Sequence, residues 1–163
     1  MTVGTSLVSL PGTALLPDIE VSNWLRWYNH AGDRGTVNSW GHLMTLVDQV
    51  GLSDDWAFLS VTPLPNTRGA GTYVQCCGDA HTGLVVEVGP GPHRSSWLVA
   101  PAGAPSEPLE PVGRYTWRYL ANPAETHPPE RFMAILLDWL DDGSVSAAYE
   151  LRDITNRGAS RGP

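Results

Sequence analysis

A broad apolar face runs along the segment between Pro128 and Gly143, and this segment restricts the fold more than any other part of the sequence. Pro128 and Pro129 suit the first turn of a helix, where a missing N–H is harmless, and Glu130 suits the positive end of the dipole. His127 is the predicted N-cap, and Gly143 suits the left-handed position after the last turn. The apolar residues recur at helical spacing: Phe132, Met133, Ile135, Leu136, Leu137, Trp139 and Leu140. A face this wide requires a second layer to cover it.

A second helix is predicted over Ser39–Val50. Asn38 or Ser39 can cap its N-terminus, and Gly51 suits the left-handed position at its C-terminus. Its apolar residues fall within about half of the helical circumference. They are Trp40, Leu43, Met44, Leu46, Val47 and Val50.

Short β-like segments fill much of the remaining chain. A turn over Gly78–Thr82 predicts that two of them form a hairpin, and Pro101–Gly113 is predicted as a loop because it is rich in Pro and Gly. In one segment Tyr115, Trp117 and Tyr119 share a face. The segments are Ile19–Tyr28 (which also fits a helix), Trp56–Thr62, Thr72–Cys77, Gly83–Val88, Ser96–Ala100, Arg114–Leu120 and Ala147–Ile154.

The order of these elements predicts an α+β fold, with two helices packed on one face of an antiparallel sheet of about five to seven strands. We expect one domain over residues 1–154 and a flexible C-terminal tail over residues 155–163. No stretch approaches the roughly 18 uncharged apolar residues of a membrane span. Met1–Leu10 lacks the basic and apolar regions of a secretory signal, so the chain is expected in the cytoplasm, away from membranes.

The net charge of −7 argues against direct nucleic-acid binding, which needs a cationic surface, and is compatible with a basic protein partner. The cysteine and histidine residues are the candidates for binding a metal or cofactor, and their spacing gives little support for such a site. Cys76 and Cys77 are expected to be free thiols on a strand, one facing in and one facing out, and a Cys76–Cys77–His81 metal site is the alternative. Loop histidines, the lack of a Gly-x-Ser-x-Gly elbow and the lack of a phosphate loop predict no catalytic centre, metal or cofactor.

Glu87 lies in the otherwise apolar run Leu84–Val88. Alternation favours a solvent-facing carboxylate, with Val86 and Val88 directed inward. The alternative is a buried acid with a raised pKa, in a pocket that could also include His81 and Arg118.

Acidic residues are unusually placed at the end of the second predicted helix. Asp138, Asp141 and Asp142 oppose the helix dipole there, and no basic residue compensates them. We interpret them as partner-binding residues, joined by Asp54 and Asp55 or separate from them. Trp97, one of seven tryptophans, follows a flexible segment and is the predicted aromatic anchor.

Several segments together resemble a known family. They are Trp24–His30, Thr36–Ser39 with the helix Leu43–Val50, the hairpin from Tyr73 to Val88, and the helix end Leu140–Gly143 with the strand Tyr149–Arg152. This pattern is similar to immunity protein family one of bacterial polymorphic toxin systems, over roughly residues 20–154. The resemblance implies an immunity-like domain that binds a cognate toxin, often a deaminase or nuclease, and blocks its active site.

Three functions therefore remain open. The first is a non-catalytic, toxin-neutralising binder that is a monomer or a weak dimer, with a basic toxin as its partner. The second is a small-ligand-binding domain or an enzyme that uses Glu87 and Arg118. The third is an adaptor that dimerises through the face of Tyr115, Trp117 and Tyr119.

Overall fold

Two antiparallel sheets and two helices make up the fold, which a computed structural model describes over residues 25–65, 71–89, 96–113, 117–154 and 160–161. The predicted strand residues 19–24 and 114–116, Tyr115 among them, lie outside the described residues.

The main sheet has seven strands in the order β2-β1-β3-β4-β5-β6-β9, and the small sheet has the order β10-β8-β7. The strands are β1 Leu25–Asn29, β2 Arg34–Thr36, β3 Phe58–Pro63, β4 Tyr73–Asp79, β5 Gly83–Gly89, β6 Trp97–Pro101, β7 Glu110–Val112, β8 Trp117–Ala121, β9 Tyr149–Asp153 and β10 Ser160–Arg161. The helices are α1 Trp40–Val47 and α2 Pro129–Asp142, with 3₁₀ turns at Asp54–Trp56 and Pro123–Glu125. This α+β arrangement confirms the predicted fold class.

Both faces of the central strands of the main sheet are covered, as the burial of β4 and β5 shows. Along β5, Leu84, Val86 and Val88 are directed to the face that α1 and α2 cover, here called the helix face. Val85 is directed to the opposite face, where it packs with Tyr119 of the small sheet. This second face, here called the small-sheet face, is the one on which alternation also places Glu87.

Helix α1 begins where the sequence predicts and ends earlier. The Ser39 hydroxyl accepts a hydrogen bond from the backbone N–H of His42 at 3.0 Å and caps the helix. The last helical residue is Val47, and a turn leads to Gly51 at φ +88°. A Cβ at residue 51 would lie 2.6 Å from the carbonyl oxygen of Gly78, so this close approach requires glycine.

Helix α2 matches its predicted span, but its N-cap is Pro128 and not His127. His127 was assigned wrongly because its backbone pairs with Leu84, with N–H···O distances of 2.7 and 2.8 Å. Its buried imidazole Nε2 lies 2.7 Å from the carbonyl oxygen of Val99, and burial lowers its pKa. Gly143 ends the helix at φ +73°, as predicted.

The sequence analysis missed three short strands and misplaced some ends. Arg34–Thr36 and Glu110–Val112 are strands, the latter inside the predicted loop; Trp56 belongs to a 3₁₀ turn and not to β3. Within the predicted tail, Ser160 and Arg161 pair with β8, and the rest of it lies outside the described residues. Over the described residues, neither helix is long and apolar enough to cross a membrane.

A buried ion pair joins the second 3₁₀ turn to β9. Arg152 donates from Nε and Nη2 to the two carboxylate oxygens of Glu125, both at 2.7 Å. The Glu125 carboxylate also accepts the backbone N–H of Asn122 at 2.8 Å, which completes a capping box. This bidentate geometry connects the turn that precedes α2 to an outer strand of the main sheet.

Candidate functional site

Glu87 lies at the centre of a polar cluster between the two sheets. Its side chain is only 9% exposed, so the prediction that it faces solvent is wrong. The reason is that the small sheet covers this face of β5. The strand therefore has no solvent-exposed face, and alternation along it cannot direct a side chain to solvent. On the neighbouring strands, Gln75 pairs with Glu87 and Ser60 pairs with Gln75, so three polar side chains cross the sheet in one row.

Both carboxylate oxygens of Glu87 accept hydrogen bonds from phenols. Tyr73 Oη donates to Oε1 and Tyr119 Oη donates to Oε2. The Ser96 hydroxyl lies 2.7 Å from Tyr73 Oη, and Gln75 Nε2 donates to Tyr119 Oη at 2.9 Å. These five residues form the Glu87 cluster, which spans three strands (β4, β5 and β8), both sheets and the residue that precedes β6.

Burial governs the protonation of the Glu87 cluster. Burial raises the pKa of Glu87, and the hydrogen bonds from Tyr73 and Ser96 partly offset this increase. Burial and the bond to Glu87 both raise the pKa of the Tyr73 phenol. Burial raises the pKa of the Cys77 thiol, and the charge of Glu87 raises it further. Burial therefore favours the protonated forms of Glu87, Tyr73 and Cys77.

A glycine leaves the space that the Tyr73 ring occupies. Gly89 lies opposite Tyr73 in the β4–β5 ladder. A Cβ at residue 89 would lie 2.5 Å from Cε1 of Tyr73, closer than carbon atoms can approach. The end of β5 thus requires glycine in order to position the phenol over Glu87.

The pocket predicted from Glu87, His81 and Arg118 does not assemble. His81 is exposed in the β4–β5 turn, at the far end of the hairpin from Glu87. Arg118 is exposed and adjoins Tyr119 in β8, so alternation directs it away from the side that meets Glu87. Tyr73, Gln75 and Tyr119 take the places beside Glu87 that the sequence analysis gave to these two residues.

The acidic residues at the end of α2 have local roles. The Asp142 carboxylate accepts the backbone N–H of Ser144 at 3.0 Å, and Asp138 accepts the backbone N–H of Ser146. Partial burial raises the pKa of Asp138, and the charges of Asp142 and Asp141 raise it further. Two of the three predicted partner-binding acids therefore hold the loop that follows the helix, at the expense of mutual repulsion.

A second acidic surface lies at the other end of the sheet. Asp54 and Asp55 are exposed in the first turn of a 3₁₀ helix, and the backbone oxygen of Asp55 accepts the N–H of Ala31 at 3.3 Å. Nε2 of His30 lies 4.0 Å from the Asp54 carboxylate. Leu52 is 50% exposed beside them. We call this surface the acidic end, and its exposed members are Asp33, Asp48, Leu52, Asp54 and Asp55.

The two acidic surfaces are separate. The acidic end adjoins the β4–β5 turn, because the N–H of Ala80 bonds to the carbonyl oxygen of Val50 at 3.0 Å. Helix α2 begins beside the same turn and runs towards the opposite end of the sheet, where Trp139 contacts Trp97. Asp138, Asp141 and Asp142 therefore lie far from Asp54 and Asp55.

Trp97 contributes more to packing than the sequence analysis expected. Its ring centroid lies 6.1 Å from that of Trp139, and it packs half-buried against the core on the helix face. Its ring partner Trp139 lies in the last turn of α2. Only the exposed half of the Trp97 side chain is thus available to a partner, because the other half packs against the core.

Metal-binding groups are scattered over the described part of the chain. Cys76 and Cys77 are free thiols on opposite faces of β4, as predicted, with Cys76 in the core of the helix face and Cys77 in that of the small-sheet face. The prediction that one of them faces outward is wrong, because the small sheet covers the second face and both thiols are buried. Over the residues described, no three His, Cys, Asp or Glu side chains could hold one metal ion.

Sheet order and layering define the class of protein: an α+β protein with both helices on one face of an antiparallel seven-stranded sheet and a small sheet on the other. Comparison of the chain with protein-family models, with curated proteins and with solved structures gives no match.

Proposed function

We propose that this protein is a non-catalytic, cytoplasmic immunity protein that binds a basic toxin of a polymorphic toxin system, a deaminase or a nuclease, and blocks its active site. The acidic end is the observation that carries the proposal. There the half-exposed Leu52 lies in one short stretch of chain with the exposed Asp48, Asp54 and Asp55, and the turn that contains the exposed Asp33 bonds to Asp55 through the N–H of Ala31. The whole chain has a net charge of −7.

The composition of the acidic end is that of a protein interface. Such interfaces have an apolar centre, which supplies most of the binding energy, and a charged rim. Carboxylates on the rim accelerate encounter with a basic partner and select against acidic ones. An enzyme that grips nucleic acid presents the cationic surface that this end would complement.

Asp54 and Asp55 are better suited to binding than the acids of α2. Within the described part of the chain, the Asp55 carboxylate has no hydrogen-bond or ion-pair partner, whereas Asp138 and Asp142 bond to the loop after α2. Replacing Asp55 therefore removes charge without removing a side-chain contact seen among the described residues, whereas Asp54 also lies 4.0 Å from Nε2 of His30.

Co-expression with the product of the adjacent gene tests the proposal. We expect cell survival and co-purification of a 1:1 complex. The variant Asp55→Arg should weaken that complex at least tenfold while unfolding like the wild type. Glu110→Arg, a charge reversal on the exposed strand β7, is the matched control and should leave affinity unchanged. A harmless neighbour, or a toxic one that this protein fails to neutralise, would refute the proposal.

The buried carboxyl group of Glu87 favours a second candidate function, a small-ligand-binding domain or an enzyme. A carboxyl group with a raised pKa can act as a general acid. Both of its oxygens accept bonds from tyrosines, however, so a ligand would have to displace one phenol. Thermal stabilisation by a metabolite in the wild type, and its loss in Glu87→Gln, would support this candidate over the first.

A further inference from the structure

Strand β9 lies at one edge of the main sheet and pairs with β6 on its inner side. The pairing direction of each residue follows from the ends of the ladder, where Ala102 N–H bonds to Ala148 and Ile154 N–H bonds to Ser96. Because antiparallel strands alternate, Glu150 and Arg152 direct their backbone groups to β6. Leu151, between them, directs its N–H and C=O outward.

Strand β9 lacks two of the features that protect an edge strand. It contains neither a proline nor a bulge, since it reads Tyr-Glu-Leu-Arg-Asp and pairs with β6 in unbroken register. Its charged residues protect it against most strands, but Glu150 and Arg152 are opposite in sign on either side of Leu151 and so favour a partner strand of the same sequence. The Leu151 side chain is 41% exposed on the helix face. An apolar residue with outward backbone groups, at the centre of a five-residue strand, is suited to adding another strand.

We propose that β9 pairs antiparallel with β9 of a second copy of this chain, about a two-fold axis at Leu151. Each Leu151 then exchanges both backbone hydrogen bonds with its counterpart, and the two leucine side chains pack together. In this register Glu150 of each copy lies opposite Arg152 of the other, so the strand is complementary in charge to itself. The two seven-stranded sheets become continuous across the axis.

The Arg152 side chain provides a second observation at this edge. Its Nε and Nη2 bond to Glu125, while Nη1 is buried and lacks a hydrogen-bond partner among the described residues. Buried donors of this kind are normally satisfied. Glu150 and Arg152 lie on the same face of β9, so Glu150 of the second copy brings a carboxylate towards the Arg152 side chain, which is 19% exposed.

The dimer is expected to be weak. Pairing through one short strand buries less than the roughly 1,200 Å² of a standard interface, and the net charge of −7 on each copy opposes association. We therefore expect a dissociation constant on the order of 100 μM, which makes the dimer reversible at cellular concentrations.

Sedimentation velocity of the full chain, without any partner protein, tests the inference. Between about 10 μM and 1 mM we expect a shift from monomer to dimer. Leu151→Lys should weaken association at least tenfold, because it places two lysines at the axis, and Glu150→Arg should do so by facing Arg152 with like charge. Leu120→Lys, on β8, is the matched control, since Leu120 is also 41% exposed, and should associate like the wild type.

Amide hydrogen exchange adds a readout at the strand itself. The Leu151 N–H should exchange more slowly as concentration rises, whereas the Arg152 N–H, bonded to β6, should not change. A monomer at 1 mM, or a dimer unaffected by Leu151→Lys, would overturn the inference. So would a Leu151 N–H that is protected at every concentration, because another segment would then occupy the edge. None of these outcomes depends on toxin binding, so the inference and the proposed function fail separately.

Discussion

Tyr119 on the small sheet donates a hydrogen bond to the carboxylate of Glu87 on the main sheet, and this bond links the two layers through a polar contact. The surrounding contacts between the sheets are mostly apolar, including Val85, Leu98 and Ala121. A carboxylate buried among apolar groups has few alternative partners, so the bond selects one docking position for the small sheet.

Glu87→Gln should change how stability depends on pH. Burial raises the pKa of Glu87, so the folded state binds this proton more tightly than the unfolded state. In the wild type, the contribution of Glu87 to the free energy of unfolding is greatest below the ordinary glutamate pKa of about 4.3. It falls as the pH rises through the raised pKa that Glu87 has in the folded state. The neutral glutamine lacks that decline. Urea unfolding from pH 4 to 8 should show the variant gaining stability relative to wild type as pH rises. Parallel curves would contradict this, and Glu110→Gln, which is exposed, is the control.

His127→Gln should change the pH dependence of stability in the opposite direction, with the variant losing stability relative to the wild type as pH rises. Burial lowers the pKa of His127, and the ring is hydrogen-bonded to Val99 in its neutral form. The folded state therefore resists protonation, and stability is lost as pH falls from the unfolded value of about 6.5 towards the lowered folded value. The variant should be less stable than wild type at pH 8, with the difference shrinking towards pH 5. Thermal unfolding measures this, and His81→Gln, at an exposed turn, should keep the wild-type slope.

Arg152→Met should be severely destabilising because it leaves Glu125, a fully buried residue, without its cationic partner. Breaking such a pair from one side costs about 3–5 kcal/mol. Urea unfolding at about 10 μM, below the range of the proposed self-association, measures the loss. The double variant E125Q/R152M should recover part of it, and Arg26→Met, at an exposed arginine, should unfold like the wild type. Equal losses in the single and double variants would contradict the ion-pair explanation.

Asp138→Asn should stabilise the protein slightly at neutral pH. The amide oxygen can still accept the N–H of Ser146, while the repulsion by Asp141 and Asp142 is removed. We expect about 0.3 kcal/mol, small because the group is partly solvated. The raised pKa implies that the gain shrinks as pH falls and wild-type Asp138 is protonated. Thermal unfolding at pH 7 and pH 4 tests both points, with Asp55→Asn as the control. A loss of stability would show that the charge itself holds the loop.

The periodicity of apolar residues was sufficient to predict the elements that are buried on one side only. The apolar stripes predicted both helices, and the turn at Gly78–Thr82 predicted the β4–β5 hairpin. The strands Arg34–Thr36 and Glu110–Val112 were missed because each has three residues, one including Gly35 and the other Pro111, which are typical of loops and edges.

The environment of Glu87 could have been predicted in part. The run Leu84–Val88 has apolar residues on both faces, which is typical of a strand covered on both sides and not of a half-solvated one. The hairpin register places Gln75 beside Glu87. The contact with Tyr119 could not be derived, because it joins residues 32 positions apart through the docking of two sheets.

Cys76 and Cys77 are neighbours in the chain, yet each thiol is sealed under a different layer of the protein. An alkylating reagent reaches each thiol only when the layer that covers it opens. The alkylation rate of Cys76 therefore measures the opening of the helices, and that of Cys77 measures the opening of the small sheet. If Cys77 reacts first, the small sheet departs while the helices stay in place. If Cys76 reacts first, the helices separate from the main sheet more readily than the small sheet does, and the hydrogen bond between Tyr119 and Glu87 is still formed when they do.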